Sequence, residues 1–199
     1  MANRRPTFTQ SELRLVVAAL RQFEKTGTKR RTQEIRKLLR DYVQFVLHTG
    51  CRPGTELRNL RWCDIDSFED AQGVRYLHIH VCGKTGSREL VASTRLQRYL
   101  DRLKRRQKTP TEYVFALPDG TRPKDLHGAF ELFLQSINLL YNRRGERYSL
   151  YSLRHYYATN RLLRAVDMHT LALQMGTSIA MITKHYSHVI AMSRAHVLV

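Results

Sequence analysis

The chain has 199 residues and 42% hydrophobic content, so it can bury a sizeable core as one large domain or two small ones without disulfide staples. Its 34 Lys and Arg against 17 Asp and Glu give a formal charge of +17, an excess that costs self-repulsion and points to a polyanionic partner, a nucleic acid ahead of a membrane surface. No run approaches the ~18 apolar residues of a membrane-spanning helix, the N-terminus lacks the apolar core of a signal peptide, and Cys51, Cys63 and Cys82, odd in number and without metal spacing, read as reduced thiols of a cytoplasmic protein.

In chain order, Thr9-Gln10-Ser11-Glu12 is a capping-box pattern, and Leu13, Val16, Val17 and Leu20 follow at helical spacing. Gly27 and the basic run after it break that helix. Thr32 is the expected cap of a second helix, whose stripe is Ile35, Leu38, Leu39, Tyr42, Val43 and Val46, and Gly50 ends it. Cys51 to Leu57 is a turn opening a short helix, with Arg52 expected at its start. Residues 61–66, 74–81 and 88–91 read as strands, with Gly83-Lys84-Thr85-Gly86-Ser87 as a hairpin turn. Helices are expected over 94–106 and 124–140. From Ser152 the chain is helical with breaks near Asp167 and Gly176. The pattern predicts a mainly α domain with a small antiparallel β-sheet, an α+β fold. His78 and His80 share one face of the second strand, where solvent-facing residues are the ordinary reading and a metal pair the rarer one.

Basic residues are interspersed along the folded pattern, with clusters at Lys29-Arg30-Arg31, Arg102 to Lys108 and Arg143-Arg144, which suggests a nucleic-acid surface more than a basic tail. Three cations stand at special places: Arg52 after the Gly50 break, Lys84 on the hairpin tip, and Arg154 early in a helix. A fourth feature is Tyr186, in His185-Tyr186-Ser187-His188, after the break Gly176-Thr177-Ser178. Taken singly, the arginines read as surface ion pairs, the lysine as a turn residue and the tyrosine as a half-buried aromatic.

Together they resemble the tyrosine recombinases, the phage-type integrase family, over almost the whole chain from Phe8 to His188. Four boxes carry the resemblance: His48 to Leu57 with Leu60-Arg61-Trp62-Cys63-Asp64-Ile65 after it, Gly83-Lys84-Thr85-Gly86, Leu153-Arg154-His155, and Met175-Gly176-Thr177 followed nine residues on by Tyr186. The resemblance implies the catalytic-domain fold of that family. It also implies site-specific recombination of double-stranded DNA through a 3′-phosphotyrosyl intermediate, as in the integrase of a phage or other mobile element. Tyr186 is then the nucleophile. Arg52 and Arg154 hold the phosphate, Lys84 is the general acid, and Tyr151 and Thr177 complete the phosphate's hydrogen bonds. Glu56 orients Arg52, and His155 supports the site. Lys84, Arg52, Arg154 and Lys184 touch DNA. The chemistry calls for no metal or other cofactor.

Two positions depart from the family pattern. The second arginine box usually begins with histidine, where this chain has Tyr151, and the final glycine is usually followed by histidine or tryptophan, where it has Thr177. Both can donate a hydrogen bond, and neither is an imidazole. His155 is a candidate to compensate. One extra residue also separates Arg52 from Glu56 relative to the commonest spacing.

The expected organisation is an N-terminal extension over 1–7, a catalytic domain over 8–188 and a C-terminal tail over 189–199 that docks in cis or on a neighbouring subunit. The family's N-terminal core-binding domain is not in this sequence. A full-length enzyme is expected to act as a homotetramer on paired sites, and this domain alone as a monomer. A DNA-binding module of the same fold with lapsed chemistry, or an enzyme like the type IB topoisomerases, are the alternatives.

Overall fold

The computed structural model describes residues 6–84 and 86–193. Helix α1 (Gln10–Phe23) starts at the expected capping box: the Glu12 N–H donates to the Thr9 hydroxyl at 3.2 Å, and the Thr9 N–H donates to the Glu12 carboxylate at 2.7 Å. Helix α2 (Arg30–Thr49) is the central post. It buries Leu38, Leu39, Tyr42, Val43, Phe45 and Val46 and ends at Gly50, which turns into the left-handed region at φ 68°. Thr32 does not cap α2. The first intrahelical bond already closes on the Lys29 carbonyl, so Thr32 lies inside the first turn.

Helix α3 (Thr55–Asn59) is short, and Arg52 lies in the turn ahead of it rather than at its start. Residues 62–64 form a 3₁₀ turn where a strand was expected, because the Asp64 carboxylate captures the Arg61 N–H at 2.8 Å. Strand β1 (Ile65–Glu69) follows. It pairs antiparallel with β2 (Arg75–Gly83), which pairs with β3 (Gly86–Ser93), giving the sheet order β1-β2-β3. Gly83 pairs with Gly86, so the strand pairing runs further into the hairpin than the five-residue turn expected.

A 3₁₀ turn at Thr94–Leu96 leads into α4 (Gln97–Arg106). Asp41, wholly buried on α2, takes ion pairs from Arg102 and Arg106 of α4 and fixes the two helices together. Helix α5 (His127–Ser136) is shorter than its predicted span. Asp125 accepts the His127 N–H at 3.0 Å in a turn before it, and Asn138 adopts φ 53° after it.

Helices α6 (Leu150–Leu163), α7 (Met168–Met175) and α8 (Ile179–Ser193) complete the described chain. They form a second apolar cluster, from Tyr157, Ala158, Leu162, Leu171, Ala172, Met175, Ile182, Tyr186 and Val189. The main core gathers around α2. Breaks at Asp167, whose carboxylate caps α7, and at Gly176 stand where expected. The tail's first residue, Val189, is buried in the chain's own second cluster, and residues 194–199 lie outside the described part. Among the described residues the mainly helical fold with a small antiparallel sheet is as the sequence pattern predicts, and no helix is long and apolar enough to cross a membrane.

Candidate active site

The site lies where the C-terminal end of α2, the base of the β2–β3 hairpin and the α7–α8 turn meet α6. Two glycines allow that approach. A Cβ on Gly50 would stand 2.2 Å from the Tyr157 ring, and one on Gly176 (φ 59°) would stand 2.6 Å from Arg88 Cδ. Both positions need a left-handed backbone and an absent side chain.

Arg52 is held from two sides. Its backbone N–H donates to Glu56 Oε2 at 2.7 Å and its Nη1 to Glu56 Oε1 at 2.8 Å, while Nη2 donates to the Gly176 carbonyl. Arg154, in the second turn of α6 and 7% exposed, donates from Nη1 to the Gly50 carbonyl and from Nη2 to the Met175 carbonyl, each at 2.6 Å. A guanidinium has five N–H donors in a fixed plane. The carbonyl bonds therefore fix the plane of each fork and leave further donors for a ligand. Burial, then the repulsion of Arg52 and Arg88, push Arg154 down to about 10, so it stays cationic at neutral pH. Cys51 between them is fully buried, and burial followed by the Glu56 charge pushes its thiol up to about 12, which keeps it an inert packing residue.

Arg52, Tyr151, Arg154, His155, Thr177 and Tyr186 line one open cavity of about 360 Å³. Tyr186, 6% exposed, reaches it from α8, and its hydroxyl is 2.6 Å from His155 Nδ1. Such a pocket can seat a tetrahedral anion on two forks, beside a phenol whose proton has an imidazole within reach. Lys84 and Lys184 are not part of that lining: Lys84 is exposed on the hairpin tip and Lys184 is exposed on α8.

Two polar residues at this junction escaped the sequence reading. Arg88 forks onto Glu56, with Nη1 to Oε1 at 2.6 Å and Nη2 to Oε2 at 2.9 Å, and its Nε donates to the Gln174 carbonyl at 3.2 Å. Burial raises the Glu56 carboxyl, but the bonds from Arg88 and then Arg52 outweigh it and hold it below the usual carboxylate range. The signal for Arg88 was the strand's period of two, which puts it on the inward face with Leu90 and Ala92. Gln174 ties α7 to the edge strand: Val91 N–H donates to its Oε1 at 3.0 Å, and its Nε2 donates to the Thr49 and Val91 carbonyls at 3.0 and 3.1 Å. No local pattern marks that role.

His78 and His80 both face Glu89, at 2.9 and 2.7 Å, on the exposed side of the sheet. Among the described residues no group of three potential ligands has metal-holding geometry.

The phage integrase family model matches residues 7–192. Among solved structures, the chain is similar to the XerH site-specific recombinase bound to difH substrate, with a TM-score of 0.69 and 18% identity over 92% of this chain and 51% of that one. It is likewise similar to the Tn1549 transposon integrase in complex with transposon right-end DNA, with a TM-score of 0.67 and 17% identity over 100% of this chain and 67% of that one. A lambda integrase dimer bound to a COC′ core site gives a TM-score of 0.66 and 18% identity over 93% and 49%. The chain thus spans about half to two thirds of the length of these structures. A search of curated protein sequences finds no match. With the family model spanning nearly all of the described residues, the chain belongs to the phage integrase family.

Proposed function

We propose that this chain is the catalytic domain of a tyrosine recombinase, which cleaves and rejoins double-stranded DNA at specific sites, as the integrase of a phage or other mobile element. The observation that supports this best is the shared cavity, in which Arg52, Arg154 and Tyr186 arrive from three separate segments of the chain. The phosphate of a DNA strand sits on the two arginine forks, which stabilise the extra charge of the pentavalent transition state. Losing one fork costs on the order of 3–4 kcal/mol of barrier, by analogy with oxyanion donors. Tyr151 and Thr177 add hydrogen bonds to the same phosphate.

Tyr186 Oη attacks phosphorus in line, the bond from phosphorus to the 5′-oxygen breaks, and a 3′-phosphotyrosine forms. The leaving 5′-oxygen takes a proton from Lys84, which enters with the hairpin when DNA fills the groove. Attack of a 5′-hydroxyl from a second strand reverses the step, so no nucleotide is consumed. In this reading residues 8–188 form the catalytic unit, Lys184 contacts the DNA backbone, four full-length subunits act on two sites, and the enzyme works in the cytoplasm on the nucleoid. The excess of basic residues supports a phosphate-dominated interface.

The test is covalent trapping on a pool of duplex DNA with sulfur at the bridging 5′ position. The wild-type chain is expected to form a denaturation-resistant adduct that maps to Tyr186. Tyr186→Phe is expected to bind the same DNA and form none. An adduct with the phenylalanine variant, or none from wild type bound to DNA, overturns the reading.

A further inference from the structure

The ring nitrogen of His155 meets the reacting hydroxyl: Nδ1 lies 2.6 Å from Tyr186 Oη, and the two ring centres are 5.7 Å apart. That distance is within the reach a general base needs. The contact is built by the fold. His155 sits next to Arg154 on α6, Tyr186 packs in the cluster that α6, α7 and α8 share, and both residues line the arginine cavity. At the position three residues before Arg154 the chain has Tyr151, which cannot serve as a base near neutral pH.

His155 and Tyr186 also line a second cavity, of about 660 Å³, whose lining does not include Arg52 or Arg154. The pair therefore forms part of the wall between two open spaces. One holds the phosphate-binding forks. The other is bounded by the segment before α1 and by the Asn142 to Glu146 turn.

We propose that His155 is the general base of cleavage, taking the Tyr186 hydroxyl proton on Nδ1 as Oη bonds to phosphorus and releasing it to water through the second cavity. This rests on the recombinase reading above. As the Oη–P bond forms, the Oη–H pair stays on oxygen and the proton passes to Nδ1, leaving an imidazolium. The bond from phosphorus to the 5′-oxygen breaks with its pair on oxygen, and Lys84 protonates that oxygen. For Nδ1 to accept, the resting imidazole carries its proton on Nε2. In rejoining, His155 takes a proton back from water through the same cavity and passes it from Nδ1 to the departing tyrosine oxygen.

Several charged and titratable groups face His155. From its own helix come Arg154 and Tyr151, and from the turn before α3 comes Arg52. Helix α8 contributes His185, with ring centres 6.4 Å apart. Across the second cavity stand Glu12, Glu146, Arg143 and Arg144. The cations oppose an imidazolium and so favour return of the proton, while the two carboxylates offset them from the solvent side.

The experiment measures single-turnover adduct formation by the full chain on the sulfur-bridged duplex pool between pH 5.5 and 8.5. His155→Asn puts an amide oxygen near the place of Nδ1, preserving the hydrogen bond without the basicity. Its rate is expected to fall by roughly 10²–10⁴-fold, with DNA binding retained. His155→Ala is expected to fall equally and to recover in part when imidazole is added. The wild-type rate is expected to drop as the pH falls below neutrality, where imidazoles take up a proton, and the variants to lack that limb. A His155→Asn rate equal to wild type, or a His155→Ala defect that imidazole leaves unchanged while the wild-type profile stays flat, overturns the assignment of His155 alone. Absence of any Tyr186 adduct from the wild type overturns the recombinase reading, and the base with it.

Discussion

Arg88 and Glu56 meet fork to fork, two N–H groups on two oxygens at 2.6 and 2.9 Å, although they lie 32 residues apart on β3 and α3. Glu56 is 2% exposed and also holds the backbone and side chain of Arg52. Arg52 and Arg88 both reach carbonyls of the α7 end, Gly176 and Gln174. One carboxylate thus registers the first arginine, the hairpin strand and the end of α7 against each other. Gly83, at the base of the hairpin, packs so closely that a Cβ there would stand 2.8 Å from Glu56 Cγ.

Replacing Arg88 with lysine keeps the charge but not the planar pair of bonds. Glu56 then loses one of its two guanidinium partners, and Arg52 loses its fixed bearing. A displacement of about 1 Å at a catalytic group can cost roughly a hundredfold in rate. Arg88→Lys is expected to slow adduct formation by about that factor while DNA affinity stays within a few-fold of wild type. Single-turnover trapping beside equilibrium binding separates the two. An unchanged rate would show that Arg52 holds its place without Arg88.

Glu56→Gln tests the same junction through pH. The folded carboxyl is held below the usual range by Arg88 and Arg52 against its burial, so the folded state holds it ionised more strongly than the unfolded state does. Its contribution to stability is fully present above the unfolded carboxylate pKa and is lost as pH falls through the folded one. Removing one member of a buried pair costs on the order of 3 kcal/mol. The variant is therefore expected to be less stable at pH 7 by about that amount, and the gap is expected to narrow in acid. Denaturant titrations of both proteins from pH 7 to pH 3 measure it. A gap that widens in acid contradicts the assigned sign.

Local signals in the sequence carried most of this fold. The capping box at Thr9, the stripe on α2, and the glycines at 50 and 176 each act within a turn or two of chain, and each element they predict is present. The errors were also local. A side chain that captures a nearby N–H, as Asp64 does, turns an apparent strand into a 3₁₀ turn without changing the hydrophobic pattern. The cavity's membership was legible because three of the four boxes supply it, while the box around Lys84 does not line it. The strand's period marks Arg88 as inward-facing, but its partner and those of Gln174 and the buried Asp41 were not legible, because they lie 32, 83 and 61 residues away and nothing in the local pattern names them. His155 was visible as a neighbour of Arg154, yet only the packing of α6 on α8 brings its Nδ1 to Tyr186.

Burial, and then the repulsion of Arg52 and Arg88 beside it, push Arg154 down to about 10. At neutral pH Arg154 is cationic, and in the fold that charge is held at a cost that a bound anion relieves. Sulfate, which imitates a phosphate's charge and shape, is therefore expected to raise the melting temperature of the wild-type chain more than that of Arg154→Gln at equal ionic strength. Each kcal/mol of linkage corresponds to about 2–4 °C for a domain of this size. The difference between the two proteins removes the general stabilisation that sulfate gives any fold. Equal increments in both proteins would show that Arg154 does not bind the anion.

Lys84 stands apart from the cavity, exposed beyond the last strand pair, while the base of its hairpin is pinned by Glu56, Arg88 and Gln174. A tip that projects from a fixed base can enter a DNA groove and meet the 5′-oxygen only once DNA is bound. Its proton matters when the leaving group is an alkoxide, and a thiolate leaves without one. Lys84→Ala is therefore expected to lose roughly 10²–10⁴-fold on ordinary DNA and to recover nearly all of it on DNA with sulfur at the bridging position. His155→Asn acts on the attacking oxygen, across phosphorus from the breaking bond, and is expected to remain slow on both substrates. Lys84→Ala that stays slow on the sulfur substrate would assign the lysine to phosphate binding, and recovery of both variants would remove the distinction between acid and base on which the mechanism rests.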